Sequence, residues 1–191
     1  MKPIKHFTRV IALFAAFYFG LLLPAEAADK PCDQWVARAV SVQGIVEARK
    51  AGETRWVQVK LDDTFCAGDM IRVQENSRAA IVLSNETNLR LDQKTTITFA
   101  GIEHKKTFLL ELLSGAAHFF SRFPKSIKVL TPFVNASVEG TEGFIKVGEE
   151  KALLSIFEGK VLASNAVGGL KLTGGQSAVA ETDKAPVLRV V

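Results

Sequence analysis

Residues 78–92 carry the clearest structural signal in the chain, and they read Arg-Ala-Ala-Ile-Val-Leu-Ser-Asn-Glu-Thr-Asn-Leu-Arg-Leu-Asp. Two short aliphatic runs, residues 78–84 and 88–92, flank the pair Asn85-Glu86. Apolar runs of this length separated by an Asn-containing turn are typical of a β-hairpin. The stretch therefore predicts two antiparallel strands.

The same pattern continues on both sides of that hairpin. Apolar runs broken by Gly, Asn, Asp and Ser recur about every 8–12 residues, which is typical of antiparallel sandwiches and barrels. Because no helical period persists, we predict an all-β fold, an antiparallel β-sandwich or β-roll of jelly-roll type, with its core over residues 36–180. The other predicted strands are residues 36–48 with a bulge at Gly44, 55–59, 70–74, 95–99, 107–113, 116–121, 127–130, 135–139, 144–147, 153–157, 161–165, 170–172 and 176–180.

The N-terminal segment predicts export. Three basic residues precede an uncharged apolar run, residues 10–23, and the small-x-small sequence Ala25-Glu26-Ala27 follows. The run is shorter than the roughly 20 apolar residues of a membrane-spanning helix. We therefore expect residues 1–27 to be a cleavable signal peptide and residues 28–191 to be a single periplasmic domain with no stable membrane span.

The charge balance argues against nucleic acid as a partner. The chain has 24 basic and 20 acidic residues, and residues 1–27 contain three of the basic and one of the acidic ones. The predicted mature chain therefore keeps 21 and 19, a net charge of only +2. A DNA- or RNA-binding domain normally carries a stronger basic excess.

Two cysteines, Cys32 and Cys66, remain after the predicted cleavage. A disulfide between them is the leading interpretation, since exported proteins meet an oxidising compartment. The alternative, a redox centre, usually has closely spaced cysteines such as C-x-x-C, and that spacing is absent. We expect a structural bridge that ties the N-terminus to the body of the domain.

No catalytic or metal-binding set emerges from the sequence. Only His104 and His118 follow the predicted leader, one in a polar turn and the other in an apolar strand. A metal site on a β scaffold usually combines several His with a carboxylate. Nucleophile motifs such as G-x-S-x-G are also missing. We therefore predict no enzyme activity and no cofactor.

A series of turn motifs resembles the FecR domain family, named after the ferric-citrate regulator. The motifs appear in the family's order: Trp56, Leu61, Ala67-Gly68-Asp69-Met70-Ile71-Arg72, Ser77-Arg78-Ala79, Asn88-Leu89-Arg90-Leu91, Leu112-Leu113-Ser114-Gly115, residues 131–142, Phe157-Glu158-Gly159-Lys160-Val161 and Gly174-Gly175-Gln176. One departure is Gly143, which stands where the family commonly has an aromatic residue. Phe144 would then fall on the other face of its strand unless Gly143 forms a bulge.

The resemblance implies an all-β periplasmic module that senses or binds and has no chemistry of its own. In transmembrane regulators of this type, the domain relays a signal from an outer-membrane transporter to a cytoplasmic anti-sigma segment. Only nine residues precede the apolar run here, so we expect a stand-alone exported member instead. A signal-relay component linked to a transmembrane sigma-factor system stays as an alternative.

The leading functional prediction is a module that binds another envelope protein. Exposed strand edges and one segment within residues 131–142 are the candidate contacts; the segment's residues are Thr131, Pro132, Phe133, Val134, Asn135, Glu139, Gly140, Thr141 and Glu142. The residues expected to form structural turns are Gly68, Asp69, Gly115, Gly159 and Gly175, with Gly140-Thr141 also expected at a turn.

Two other functions are less favoured by the sequence. A cell-wall or carbohydrate-binding module would present exposed aromatic rings. The predicted mature chain has no Tyr and only two Trp: Trp35, beside the proposed disulfide, and Trp56, which we expect in the core. A hydrolase is disfavoured because no acid–base set can be named. Residues 187–191 are apolar, and they predict either a strand that completes the sheet or the start of a longer architecture.

Overall fold

The computed structural model describes residue 32, residues 34–103 and residues 107–189, and for residues 122–125 it describes the backbone alone. The predicted signal peptide, residues 1–27, and His104 lie outside the described residues. Pro31–Val191 form one compact unit. Within the described part of the chain, no helix is long and apolar enough to cross a membrane.

The described residues form strands and no helices, which confirms the all-β prediction, and every strand pairing is antiparallel. The strands are β1 (Ala37–Gln43), β2 (Val46–Arg49), β3 (Val57–Gln58), β4 (Thr64–Phe65), β5 (Met70–Val73), β6 (Arg78–Leu83), β7 (Asn88–Leu91), β8 (Thr95–Glu103), β9 (Thr107–Leu130), β10 (Asn135–Val147), β11 (Lys151–Ser164), β12 (Gly169–Thr173), β13 (Ser177–Glu181) and β14 (Val187–Arg189).

The long strand β9 organises the fold. One edge of β9 pairs first with β8 and then with β7, so two arms leave it: β8-β5-β2-β3 and β7-β6-β1-β4. Phe65 of one arm stacks on Phe99 of the other with ring centroids 5.1 Å apart. The arms therefore pack face to face as a sandwich. The other edge of β9 pairs with β10, and the sheet continues through β11 and β13 to β14.

Strict alternation of side chains produces the core. In β6 the residues Ala79, Ile81 and Leu83 are buried while their neighbours face outward. The hairpin to β7 turns at Glu86, which has a φ of 68°, and β7 buries Leu89 and Leu91 in the same core. Each fully buried aliphatic side chain contributes about 1.5–3 kcal/mol relative to an exposed one.

Three of the predicted turns are wrong, because Gly115, Gly140 with Thr141, and Gly159 lie inside continuous strands. Gly115, with a φ of 86°, lies where β9 changes its partner from β8 to β7. Gly159, with a φ of 113°, faces Gly140 next to a register shift between β10 and β11. A glycine with positive φ fits a bulge as well as a turn, and the long-range pairing selects the bulge here.

Gly68 and Gly175 lie between strands. Gly68 has a φ of 89° in the turn before β5, and Gly175 has a φ of 82° in the turn between β12 and β13. The neighbouring Asp69 is 2% exposed, and its carboxylate accepts backbone hydrogen bonds from Ala51 at 3.0 Å and from Cys66 at 2.9 Å. Asp69 therefore holds two separate loops together.

The predicted disulfide is present: Cys32 and Cys66 are bonded, with their Cα atoms 5.7 Å apart. Cys66 directly follows β4, so the bridge fastens the N-terminal segment to one arm of the sandwich. At the other end of the sheet, Val187–Arg189 forms the edge strand β14 and pairs with β13. This pairing agrees with the completing strand predicted from the apolar C-terminal residues.

Candidate functional site

The predicted interaction segment begins as a turn and continues into β10. The Thr131 hydroxyl accepts hydrogen bonds from the backbone N–H groups of Phe133 at 3.2 Å and Val134 at 3.0 Å, and it donates one to the Val134 carbonyl at 2.7 Å. Phe133 and Val134 are 9% and 2% exposed. Val134 cannot meet a partner directly, because its side chain belongs to the core.

The remaining members of the segment divide by face. Pro132, Asn135 and Glu139 are exposed, and Gly140 is buried against β11. Thr141 and Glu142 are half-buried, and they lie in a shallow cleft of about 300 Å³ on the outer face of the sheet. Only the end of the segment therefore reaches the cleft.

Four neighbouring strands build this cleft, which we call the His118 cleft. It is lined by Arg90 of β7, His118, Phe120 and Ser121 of β9, Thr141 and Glu142 of β10, and Glu158 of β11. Their positions follow from the sheet register, which pairs Arg90 with His118, Phe120 with Glu142, and Glu142 with Glu158. Side chains on one face of paired strands lie about 5 Å apart, so these groups converge.

A hydrogen-bonded His–Glu pair forms the centre of the cleft. His118 Nε2 lies 2.8 Å from Glu142 Oε1, and the nitrogen donates because a carboxylate can only accept. The ring of Phe120 lies 5.6 Å from the His118 ring, and Phe157 meets it edge-on at 6.0 Å. The imidazole is 25% exposed, so one edge of this pair is open to solvent.

Three polar groups around that pair have no hydrogen-bonding or ionic partner among the described side chains. The Arg90 guanidinium lies over the Phe120 ring at 4.8 Å, and no described carboxylate pairs with it. The Glu158 carboxylate is exposed and makes no described ion pair. The Thr141 hydroxyl is buried and has no hydrogen-bond partner among the described residues. Buried hydroxyls normally find one, so the cleft offers unused donors and acceptors.

The register shifts explain why Glu142 lines the cleft. The pairing of β10 with β11 slips between Gly140 and Glu142 and again between Glu142 and Gly143. The resulting irregularity lies at the position where the sequence departs from the family pattern. Gly143 lies directly against the Phe119 ring, where a Cβ would overlap the ring carbons, and Phe144 is half-buried on the opposite face.

Sequence reasoning missed Arg90, Phe120 and Phe157 as members of a common site. An available signal was the i, i+2 spacing of His118 and Phe120, which places both on one face of a strand. The partners on β7 and β11 could not be found in this way, because pairing in the sheet brings together residues that are far apart in sequence.

A second polar cluster surrounds Trp56, which is half-buried on the outer face rather than in the core as expected. The guanidinium groups of Arg72 and Arg49 lie 4.1 Å and 5.2 Å from its ring centroid. Hydrogen bonds from Arg72 at 2.8 Å and from Gln74 at 2.7 Å hold the pKa of Glu47 below its ordinary value. This cluster is internally paired, and its indole face is covered.

Metal binding has no structural support in the part of the chain described: no group of three or more His, Cys, Asp or Glu side chains there could hold an ion. His118 has a single carboxylate neighbour within hydrogen-bonding distance among the described side chains. The cleft is lined by polar and aromatic side chains.

These features define an all-β domain with a polar cleft on its outer sheet face, and part of this domain is similar to a known family. Residues 69–162 match the family model described as FecR protein. The match confirms the resemblance to the FecR family over these residues. The matched range includes every lining residue of the His118 cleft, from Arg90 to Glu158.

Two crystal structures of a candidate anti-sigma factor from Parabacteroides distasonis share the fold. Each is 19% identical in sequence with a TM-score of 0.55, and the match covers 63% of this chain and 58% of that one. The chain thus spans less than two thirds of the length of these structures, and at this identity the likeness concerns the fold alone. No curated protein matches the chain.

Proposed function

We propose that this chain is a non-catalytic, exported module of the bacterial cell envelope that binds another envelope protein through the His118 cleft. The observation that carries the proposal is a set of groups without a described hydrogen-bonding or ionic partner: the Arg90 guanidinium, the Glu158 carboxylate and the Thr141 hydroxyl. A partner would supply the missing hydrogen bonds. The match of residues 69–162 to the FecR family model supports a regulatory or binding role.

The cleft has the composition of a protein-binding surface. Phe157 is 54% exposed at its margin, and aromatic and Arg side chains are enriched where interfaces gain most of their energy. Glu142 and Glu158 lie on adjacent strands as a directly paired couple. Like charges in such positions repel, so a basic side chain of a partner would be favourable between them.

Two features support a periplasmic location. Residues 1–27 have the basic, apolar and small-residue order of a signal peptide. The Cys32–Cys66 disulfide is of a kind that persists in oxidising compartments. Cell fractionation with an antibody against the chain tests the location, and recovery in the cytoplasm would contradict it.

The interaction is tested by site-specific photocrosslinking in intact cells. A photoreactive residue replaces Phe157 at the cleft margin, and a control replaces Lys171, an exposed residue of β12. We expect a defined envelope protein, identified by mass spectrometry, to be captured from position 157 and not from position 171. Adding Glu158→Lys should reduce this capture. Equal capture from both positions, or no effect of Glu158→Lys on capture, would indicate that the partner does not bind at the His118 cleft.

A second candidate function is signal relay in a sigma-factor regulatory system. The specific observation in its favour is the fold shared with the Parabacteroides distasonis candidate anti-sigma factor. Its test is transcript profiling of a strain in which Glu158→Lys replaces the native residue. A relay role predicts altered expression of one sigma-dependent gene set, whereas a purely structural envelope role predicts no such change.

A further inference from the structure

A second groove lies on the same outer sheet face, toward its β14 edge. It encloses about 420 Å³ and is lined by Lys146, Gly148, Lys151, Leu153, Val179 and Arg189. The register explains its shape, since Lys146, Leu153, Val179 and Val187 are successive partners across β10, β11, β13 and β14. None of these residues lines the His118 cleft, so the two sites are distinct.

The rim of this groove is basic. Lys146, Lys151 and Arg189 are all exposed, and no carboxylate of the described residues lines the groove. Lys146 and Arg189 make no ion pair with any described side chain. Lys151 interacts electrostatically with Glu181, but that carboxylate is held by Lys184 at 2.7 Å. Three cations therefore surround the groove with little internal neutralisation.

The floor of the groove is apolar. Leu153 and Val179 are half-buried, and the adjacent Val187 is 60% exposed. The serines in the neighbouring row, Ser155 and Ser177, bond to each other at 2.9 Å and need no further partner. An apolar strip bordered by charges of one sign is typical of a surface that receives an amphipathic ligand.

We propose that this groove binds an acidic peptide segment that places an apolar side chain over Leu153 and Val179. The spread of the cations favours a peptide over a single anionic headgroup. Lys146 is on β10 and Arg189 is on β14, three strand spacings away. Arg189 also lies two residues along β14 from Val187, which is in register with Lys146, so at about 4.8 Å per strand spacing and 3.3 Å per residue the two backbones are about 16 Å apart. Several carboxylates along an extended segment match that spread, and one headgroup does not.

The test is a fluorescence anisotropy titration of the purified chain with a labelled peptide, acetyl-Glu-Leu-Asp-Leu-Glu-Val-Asp-amide. A second peptide with Gln and Asn in place of Glu and Asp controls for the charges. We expect the acidic peptide to bind about tenfold more tightly at low salt, and this advantage to fall as salt screens the exposed charges. Equal affinity for the two peptides would overturn the proposal.

Variants locate the binding. The triple variant Lys146→Gln, Lys151→Gln and Arg189→Gln should bind the acidic peptide about tenfold more weakly. Val179→Thr should also weaken peptide binding, although it changes no charge. Lys171→Gln is the matched control, because Lys171 is exposed on β12 and lies outside the groove. Thermal melting verifies that each variant is folded. An unchanged affinity of the triple variant for the acidic peptide would contradict this location. Binding of sodium dodecanoate without binding of the acidic peptide would contradict a peptide as the ligand.

Discussion

Gly140 of β10 is paired directly with Gly159 of β11, and neither position can hold a side chain. A Cβ on Gly140 would lie 2.9 Å from the Cα of Gly159, and one on Gly159 would overlap the Cα of Gly140. Both contacts are with backbone, which cannot rotate away. This close approach holds the two long strands together immediately before Thr141 and Glu142, which line the His118 cleft.

Replacing either glycine by alanine is expected to destabilise the domain. Gly140→Ala adds a steric conflict, which costs about 1–3 kcal/mol in a packed interior. Gly159→Ala adds the same kind of conflict to a backbone with a φ of 113°, where an L side chain is strained, so its cost should be larger by about 1–3 kcal/mol. Urea unfolding measures both free energies.

Two other glycines separate the causes of that loss. Gly175 has a φ of 82°, but a Cβ added there would meet no atom within 4 Å, so Gly175→Ala should show the backbone cost alone. At Gly148 the nearest atom to an added Cβ would be at 3.5 Å and φ is not positive, so Gly148→Ala should be nearly neutral. Similar losses in all four variants would contradict the steric argument.

Alternation and turn chemistry are sufficient to predict the β6–β7 hairpin and the all-β class. They fail for β9, β10 and β11, because local patterns divide each of these strands at a glycine. The residues around Gly115 and Gly159 meet the local requirements of a turn, since both need positive φ. Only the partners across the sheet, Thr95 against Gly115 and Gly140 against Gly159, show that the strand continues.

The candidate site can be predicted only in part, because it too depends on pairing between distant strands. The segment containing Thr141 and Glu142 stands out by its motif, although Val134 within it is a core residue. Arg90 and Glu158 lie in motifs of the predicted scaffold, and they become site residues through register with His118 and Glu142. Register depends on long-range contacts, which a single sequence does not display.

Asp69 is expected to be a major stabilising residue of the first arm. Its buried carboxylate accepts two backbone hydrogen bonds, and Lys50 lies 3.8 Å away. Asp69→Ala would leave two N–H groups without partners, at about 1–3 kcal/mol each. Asp63→Ala is the comparison, since Asp63 accepts one exposed bond from Lys60 and should cost about 1 kcal/mol or less. Chemical denaturation should rank the two, and equal losses would contradict the assigned role.

The disulfide is expected to stabilise the fold mainly by restricting the unfolded chain. It joins residues 34 positions apart, for which the chain-entropy estimate is about 3–4 kcal/mol. The double variant Cys32→Ser with Cys66→Ser should therefore lower the free energy of unfolding by about that amount. The native chain in reducing agent should behave in the same way. A loss below about 1 kcal/mol in both would show that the bridge constrains little.

Glu47 should make stability depend on acid pH. The hydrogen bond from Arg72, and then that from Gln74, hold its pKa below the ordinary 4.5. The stabilisation is present above that ordinary value and is lost as pH falls through the lower folded-state pKa. The free-energy difference between the native chain and Glu47→Gln should therefore shrink between about pH 6 and pH 3. Glu53→Gln, which removes an exposed carboxylate, is the control. If the free-energy difference between the native chain and Glu47→Gln stays constant with pH, this linkage is contradicted.

Phe157 is expected to serve binding rather than folding. It is 54% exposed, and its described ring contact is the edge of His118 at 6.0 Å, so Phe157→Ser should change the free energy of unfolding by less than about 1 kcal/mol. If Phe157 anchors a partner at the His118 cleft, Phe157→Ser should weaken binding of the crosslinked partner by about tenfold or more, because aromatic anchors supply much of the binding energy of an interface.

Leu162→Ser is the matched control, because Leu162 is 44% exposed on the same strand and does not line the cleft. Calorimetric titration of the partner into the three proteins measures the difference, and equal weakening by both variants would indicate adhesion to any exposed apolar residue instead of recognition by the cleft.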